Sequence, residues 1–184
     1  MKMMPTTYGE EPKDGVISRF LKPGDFYFGD ETCQIHTVLG SCIAITLWHP
    51  TLKIGGMCHF VLPGSGSISD TVNLPIKDLN GRYSDAAMRL FELAAQKHRT
   101  RLSDYQAKIF GGSNMLTDTT LSDDELIGTR NTVAAIERLA ERNIELLVAH
   151  VGETGHRRIA LDVKNGDVWV KHVPLHKVIG QRNV

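Results

Sequence analysis

Cysteine is scarce in this chain, and several other marks of a specialised setting are missing with it. The three cysteines are Cys33, Cys42 and Cys58. A small odd number without paired spacings argues against a disulfide framework, so reduced thiols and a cytoplasmic location are expected. No apolar run approaches the roughly 20 residues that cross a bilayer, so membrane insertion is not expected. The opening MKMMPTTYGEEPKDG has two adjacent acids and lacks the apolar stretch of a secretion signal. Neither sign of charge is in excess: Lys+Arg and Asp+Glu are both 21. That balance gives no electrostatic case for binding nucleic acid or an anionic membrane. Internal repeats and linkers are absent too. What remains is ordinary for a globular domain: 184 residues, 41% hydrophobic and 23% charged, enough to bury one real core.

Residues 1–16 carry Pro5, Pro12 and Gly15 and read as a flexible arm, 17–173 as one domain, and 174–184 as an exposed tail. Within the domain, FLKPGDFYFG (20–29) reads as a turn between apolar groups. CQIHTVL (33–39) alternates Ile35, Thr37 and Leu39 against Gln34, His36 and Val38, the pattern of a half-buried strand. CIAITLWH (42–49) and IGGMCHFVLP (54–63) are β-rich runs around a turn at 50–53 and predict a hairpin. A helix is expected at about 84–98, capped by Ser84 or Asp85, with Ala87, Leu90, Phe91 and Ala94 inward. AKIFGG (107–112) predicts a strand. A second helix over roughly 127–142 has Val133, Ile136, Leu139 and Ala140 as its apolar stripe and Asn143 at its C-terminal cap. IELLVAHV (144–151) reads as a buried strand, and Asn165-Gly166 as a type I′ hairpin turn. Polar loops fill 64–81 and 114–125. Strands at both ends with two helices between, and no regular alternation, predict an α+β domain rather than a doubly wound parallel sheet.

The stretch TVLGSCIAITLWHP (37–50) sets a thiol behind Gly40 and Ser41 at the mouth of a strand. Hairpin register decides what Cys42 meets. With the turn centred between Pro50 and Thr51 it lies opposite His59. With the centre one residue later, His59 faces Ala44 and Cys42 becomes its diagonal neighbour on the same face. Only the half-residue shift between these separates the two, because side chains alternate with period two. By the same parity Cys58 points the other way. A thiol beside an imidazole can pass it a proton, giving a thiolate–imidazolium pair that is nucleophilic at neutral pH. The small residues Gly40 and Ser41 let backbone N–H groups converge as an oxyanion hole. Thr37, Ser41 and nearby carbonyls are candidates to orient the ring.

Packing is the alternative reading of a lone Cys–His pair. Zinc on Cys33 and His36, a C-x-x-H spacing, lacks the paired ligands a structural site needs, so no metal is expected. Cys33 and Cys58 read as small core fillers, His36 as a strand surface residue, and Trp48 and Trp169 as core anchors. His150, His156, His172 and His176 show no ligand pattern. The 64–81 loop reads either as the frame of a substrate groove or as a plain surface excursion. Gly111-Gly112 reads either as a close backbone approach to the site or as a strand-end turn.

Taken in order, TVLGSCIAITLWHP, GGMCHFVLP, RYSDAAMRLF, AKIFGGSNM and IGTRN resemble the motifs of the CheD family of chemoreceptor glutamine deamidases, over about residues 20–173. The resemblance implies hydrolysis of selected receptor glutamine side chains to glutamate and ammonia. It implies Cys42 as nucleophile, His59 as base and Thr37 as the third member, with no cofactor. It implies stacked mixed β-sheets flanked by helices, as in the cytotoxic necrotizing factor deamidase toxins. The implied partners are chemoreceptor cytoplasmic domains as substrate and a CheC-type phosphatase. The chain departs from the family pattern at VGETGHRR: Gly152 and Arg157 are kept, but Glu153 replaces a second glycine. Two other functions stand beside this one: an adaptor that docks a phosphatase or receptor with an idle thiol, and a deamidase of some non-receptor protein.

Overall fold

The computed structural model describes residues 15–64, 74–115, 122 and 126–175. Most of the predicted arm and tail, His176, and the centres of the two polar loops lie outside the described residues. The strands and α-helices of the described residues follow in order: β1 Ile17–Phe20, β2 Phe26–Gly29, β3 Cys33–Leu39, β4 Ile43–His49, β5 Ile54–Phe60, α1 Ser84–Lys97, β6 Gln106–Gly111, α2 Ile127–Ala140, β7 Glu145–Val151, β8 His156–Asp162 and β9 Val168–Val173.

The strands form two mixed sheets, ordered β1-β3-β8-β9 and β2-β5-β4-β6-β7. In each, one edge pair is parallel, β1 with β3 and β6 with β7, and the other pairs are antiparallel. Ile35, Leu39, Ala44, Met57, Phe110, Ile159 and Leu161 fill the space between the sheets. Ile43, Ile45, Leu47, Cys58 and Phe60 fill the space between the five-stranded sheet and the two helices. The result is a single α+β domain of three layers: sheet, sheet, helices.

Alternation in β3 is as the sequence predicts, with Cys33, Ile35, Thr37 and Leu39 buried and the residues between them half-buried. Cys33 and His36 therefore face opposite ways and cannot share one ion. The 20–29 segment does more than turn. Phe26–Gly29 adds an edge strand to β5, and Ile17–Phe20 adds one to β3, because both sheets have a free edge there.

Four local expectations are corrected. Neither Ser84 nor Asp85 caps α1; Tyr83 holds that position without a side-chain bond, while Ser84 Oγ donates to the Pro63 carbonyl. The buried stripe of α2 is Gly128, Asn131, Ala134, Ala135 and Leu139, and Val133 and Ile136 are exposed. Small residues let that helix sit close to the sheet, and the branched ones turn outward. The β7 strand is an edge, with Leu147 and Val148 exposed. The β8–β9 connection runs through five residues, 163–167, with only Gly166 at positive φ (73°), whereas a type I′ turn needs two such residues. Asn143 does take the left-handed cap conformation, at φ 52°.

Candidate active site

The β4–β5 hairpin turns through residues 50–53, with Lys53 N–H bonded to the His49 carbonyl at 2.9 Å. That turn centres the ladder between Thr51 and Leu52 and pairs Ala44 with His59. It is the second of the compatible registers. Cys42 sits one residue before β4, in a bend, diagonal to His59 and packed against the inter-sheet core. Cys58 falls on the helix side, fully buried, and its thiol is pushed up to about 12 by burial.

His59 is fixed from several directions. Its backbone pairs with the turn before β2: Gly24 N–H donates to the His59 carbonyl at 2.7 Å, and His59 N–H to the Asp25 carbonyl at 3.0 Å. The residue is only 2% exposed. Nδ1 lies 2.8 Å from Thr37 Oγ1, and Thr37 Oγ1 donates to the Leu21 carbonyl at 2.9 Å. A hydroxyl has one proton. Thr37 spends it on Leu21, so its oxygen must accept from His59 Nδ1–H. The neutral ring is then protonated on Nδ1, and Nε2, which has no hydrogen-bond partner, keeps a free lone pair. Thr37, the expected third member, thus reaches His59 from β3, in the opposite sheet. The Leu21 carbonyl, which holds Thr37 in turn, was not foreseen; no pattern in the sequence marks a backbone acceptor 16 residues away.

Burial acts on both reactive groups in the direction of neutrality. It pushes His59 down to about 4, opposed by the Leu21 carbonyl and Asp25. It pushes the half-buried Cys42 thiol up, opposed by the positive charge of Arg82 and by its own amide. Burial in the low-dielectric space between the sheets thus disfavours, in each group, the charged form that a thiolate–imidazolium pair requires. Burial therefore favours the neutral form of the His59 ring in the neutral pH range.

The glycine pair at the end of β6 makes a close backbone approach, one of the two readings open from sequence. Gly112 N–H donates to the Cys42 carbonyl and Ser113 N–H to the Gly40 carbonyl, both at 2.9 Å. Gly111 has φ 111°, and a Cβ there would run into the Cys42 carbonyl oxygen. Gly40 lies under the exposed side chain of Met115.

The departing loop is built around a buried ion. Arg157 is fully buried and donates through Nε to His150 Nδ1 at 2.8 Å and through Nη1 to Ser113 Oγ. Glu153 lies 3.7 Å from its Nη2 and 3.0 Å from His172 Nδ1. Glu153 takes φ 60°, a conformation that glycine adopts freely, at the position where the family pattern has glycine. Among the described residues no cluster of three or more metal-ligating side chains occurs, and no helix is long and apolar enough to cross a membrane.

A family model described as CheD chemotactic sensory transduction matches residues 62–172. The chain is 44% identical over 151 residues to a Dechloromonas aromatica (strain RCB) protein named "Probable chemoreceptor glutamine deamidase CheD 3", covering 82% of this chain and 85% of that one. It is 38% identical over 162 residues to a Pseudomonas syringae pv. tomato protein named "Probable chemoreceptor glutamine deamidase CheD", covering 88% and 92%. The crystal structure of the Bacillus licheniformis hypothetical protein YfiH superposes at a TM-score of 0.37 with 9% identity, covering 68% of this chain and 49% of that one. A likeness of that degree carries no argument.

Proposed function

The chain belongs to the CheD family of chemoreceptor glutamine deamidases, and we propose that it carries out that reaction with Cys42 as nucleophile, His59 as proton carrier and Thr37 as the residue that orients the ring. As a receptor glutamine enters, Cys42 Sγ attacks the side-chain carbonyl carbon and its proton passes to His59 Nε2. The carbonyl oxygen becomes an oxyanion, held by backbone amides of the Gly40-Ser41-Cys42 bend. On collapse the imidazolium gives its proton to the amide nitrogen, and ammonia leaves. A thioester remains. His59 then takes a proton from water as the water attacks the thioester carbon; the C–S bond breaks, glutamate departs, and His59 returns its proton to the sulfur.

The observation that carries this reading is the Leu21–Thr37–His59 relay. It leaves one ring nitrogen unprotonated and without a partner on the face of the sheet where Cys42 lies. The neutral resting pair is compatible with it, since substrate binding excludes water and supplies the electrophile that draws the proton across. We take residues 17–173 as the deamidase domain and its layered sheets as those of a cytotoxic necrotizing factor-type cysteine deamidase. The substrate is the cytoplasmic part of chemoreceptors, the setting the cytoplasm, and a CheC-type phosphatase a further partner.

The test is mass spectrometry of receptor cytoplasmic fragments incubated with the protein. Wild type should give the small mass gain that marks glutamine turned to glutamate, and Cys42→Ala none, with its melting temperature kept. Undiminished turnover by Cys42→Ala rejects the mechanism. No gain with wild type, while the fragment is still bound, favours the adaptor.

A further inference from the structure

Three consecutive carbonyls at the nucleophile are each held by a donor. Gly40 is held by Ser113 N–H and Cys42 by Gly112 N–H. The middle one, Ser41, is held at 3.0 Å by a side chain, Asn131 Nδ2 on α2. The second proton of the same nitrogen goes to the Val61 carbonyl at 2.8 Å. The β4–β5 ladder stops at the pair Ile43 and Phe60, so Asn131 fills the place of the next rung and ties together the chain beside Cys42 and the chain just past His59. Two carbonyl acceptors fix which end of the amide faces them. The other end, Oδ1, is left buried without a partner, and Asn131 is 0% exposed. A core asparagine kept with an orphaned oxygen is a poor choice for packing alone.

A trans peptide is planar, so the N–H of one residue points opposite the C=O of the residue before it. No peptide bond in the described chain is cis. With the Ser41 carbonyl held toward α2, the Cys42 N–H points away from that helix. It lies toward its own sulfur and finds no other acceptor among the described residues. The flanking peptide planes are held by backbone, and the one that aims the Cys42 amide is held by Asn131. We propose that Asn131 is a positioning residue that aims the Cys42 N–H as an oxyanion donor. The inference rests on Cys42 being the nucleophile.

Alkylation by iodoacetamide needs the thiolate but passes through no tetrahedral oxyanion, so it separates this role from a structural one. In Asn131→Ala and Asn131→Asp, kcat for glutamine deamidation should fall at least about tenfold, toward the 10²–10³ measured for loss of one oxyanion donor. KM should stay near wild type, and the rate of Cys42 alkylation, which feels that amide only through the thiol's pKa, should fall far less than kcat. A kcat within about twofold of wild type overturns the proposal, as does an equal fall in deamidation and alkylation. Should the variants not fold, wild type answers instead. A peptide aldehyde replacing the glutamine amide adds the Cys42 thiol across its carbonyl, and the ¹⁵N-labelled Cys42 amide proton should then move downfield. An adduct that leaves that resonance in place overturns the role of Asn131 alone. No adduct and no alkylation at Cys42 removes the nucleophile, and this role with it.

Discussion

The two faces of the β4–β5 hairpin differ by a single residue step and share almost nothing chemically. One face carries Ile43, Ile45, Leu47, Cys58 and Phe60 under the helices. The other carries Ala44, Met57, His59 and, at its end, Cys42, toward the second sheet. Both faces hold a thiol. That of Cys58 is sealed in hydrocarbon and pushed up to about 12, whereas that of Cys42 is half-exposed, near the positive charge of Arg82 and diagonal to an imidazole with a free lone pair. The contrast lies in what the second sheet brings to the inter-sheet face, namely the Thr37 hydroxyl on His59 Nδ1 and the Leu21 carbonyl behind it.

The strongest way to break the comparison is to remove the base. His59→Gln should lower kcat by about 10²–10⁴ while Cys42 remains accessible to slow alkylation. Steady-state ammonia release measures the first effect and peptide mapping the second; a variant retaining most of its turnover would place the proton carrier elsewhere.

A smaller effect is expected from the opposite sheet. Thr37→Val keeps the shape but leaves the Leu21 carbonyl and His59 Nδ1 unpaired, which should reduce kcat by up to about 10²-fold through ring misplacement and cost about 1–3 kcal/mol of stability. Thr37→Ser, which restores both bonds, should recover most of the activity. If valine and serine behave alike, the hydroxyl does not orient the ring.

Acidity probes the same face. His59 is pushed from its ordinary 6.5 to about 4 by burial. Between those values the unfolded chain binds a proton there and the folded chain does not, so stability falls as pH drops through that window, by up to about 3 kcal/mol in all. Urea titrations across pH 7 to 4 should show this slope flattened in His59→Gln. The acid limb of kcat/KM should lie near 4, with activity lost as the ring protonates; a limb near 6.5 would mean a ring open to water.

The smallest effect belongs to the helix face. Cys58→Ala should leave kcat within about twofold and cost roughly 1–2 kcal/mol from the lost sulfur and the cavity. Alkylation of Cys58 should wait for unfolding. Any marked loss of turnover would show that the two faces are coupled.

Much of this site was legible from residues alone. Period-two alternation in CQIHTVL placed Thr37 with Ile35 and Leu39, and the β-rich runs around residues 50–53 limited the hairpin to a few registers, two of which join Cys42 and His59. The helix faces were less legible. Val133 and Ile136 look like a core stripe, yet Gly128, Ala134 and Ala135 face the sheet, because close approach rewards small side chains over apolar ones. Edge strands were also hidden: Ile17–Phe20 and Phe26–Gly29 are held by the free edges of other strands rather than by any pattern of their own.

The sequence by itself determined which side of the hairpin Cys42 and His59 share, since strand periodicity is a local property of the backbone and needs no knowledge of distant chain. Tertiary structure alone decided how deeply the two groups are buried and which bonds hold the chain around them. Thr37, Leu21 and Asn131 reach the hairpin from another sheet, a loop and a helix, and the burial that neutralises both groups exists only once those layers have closed.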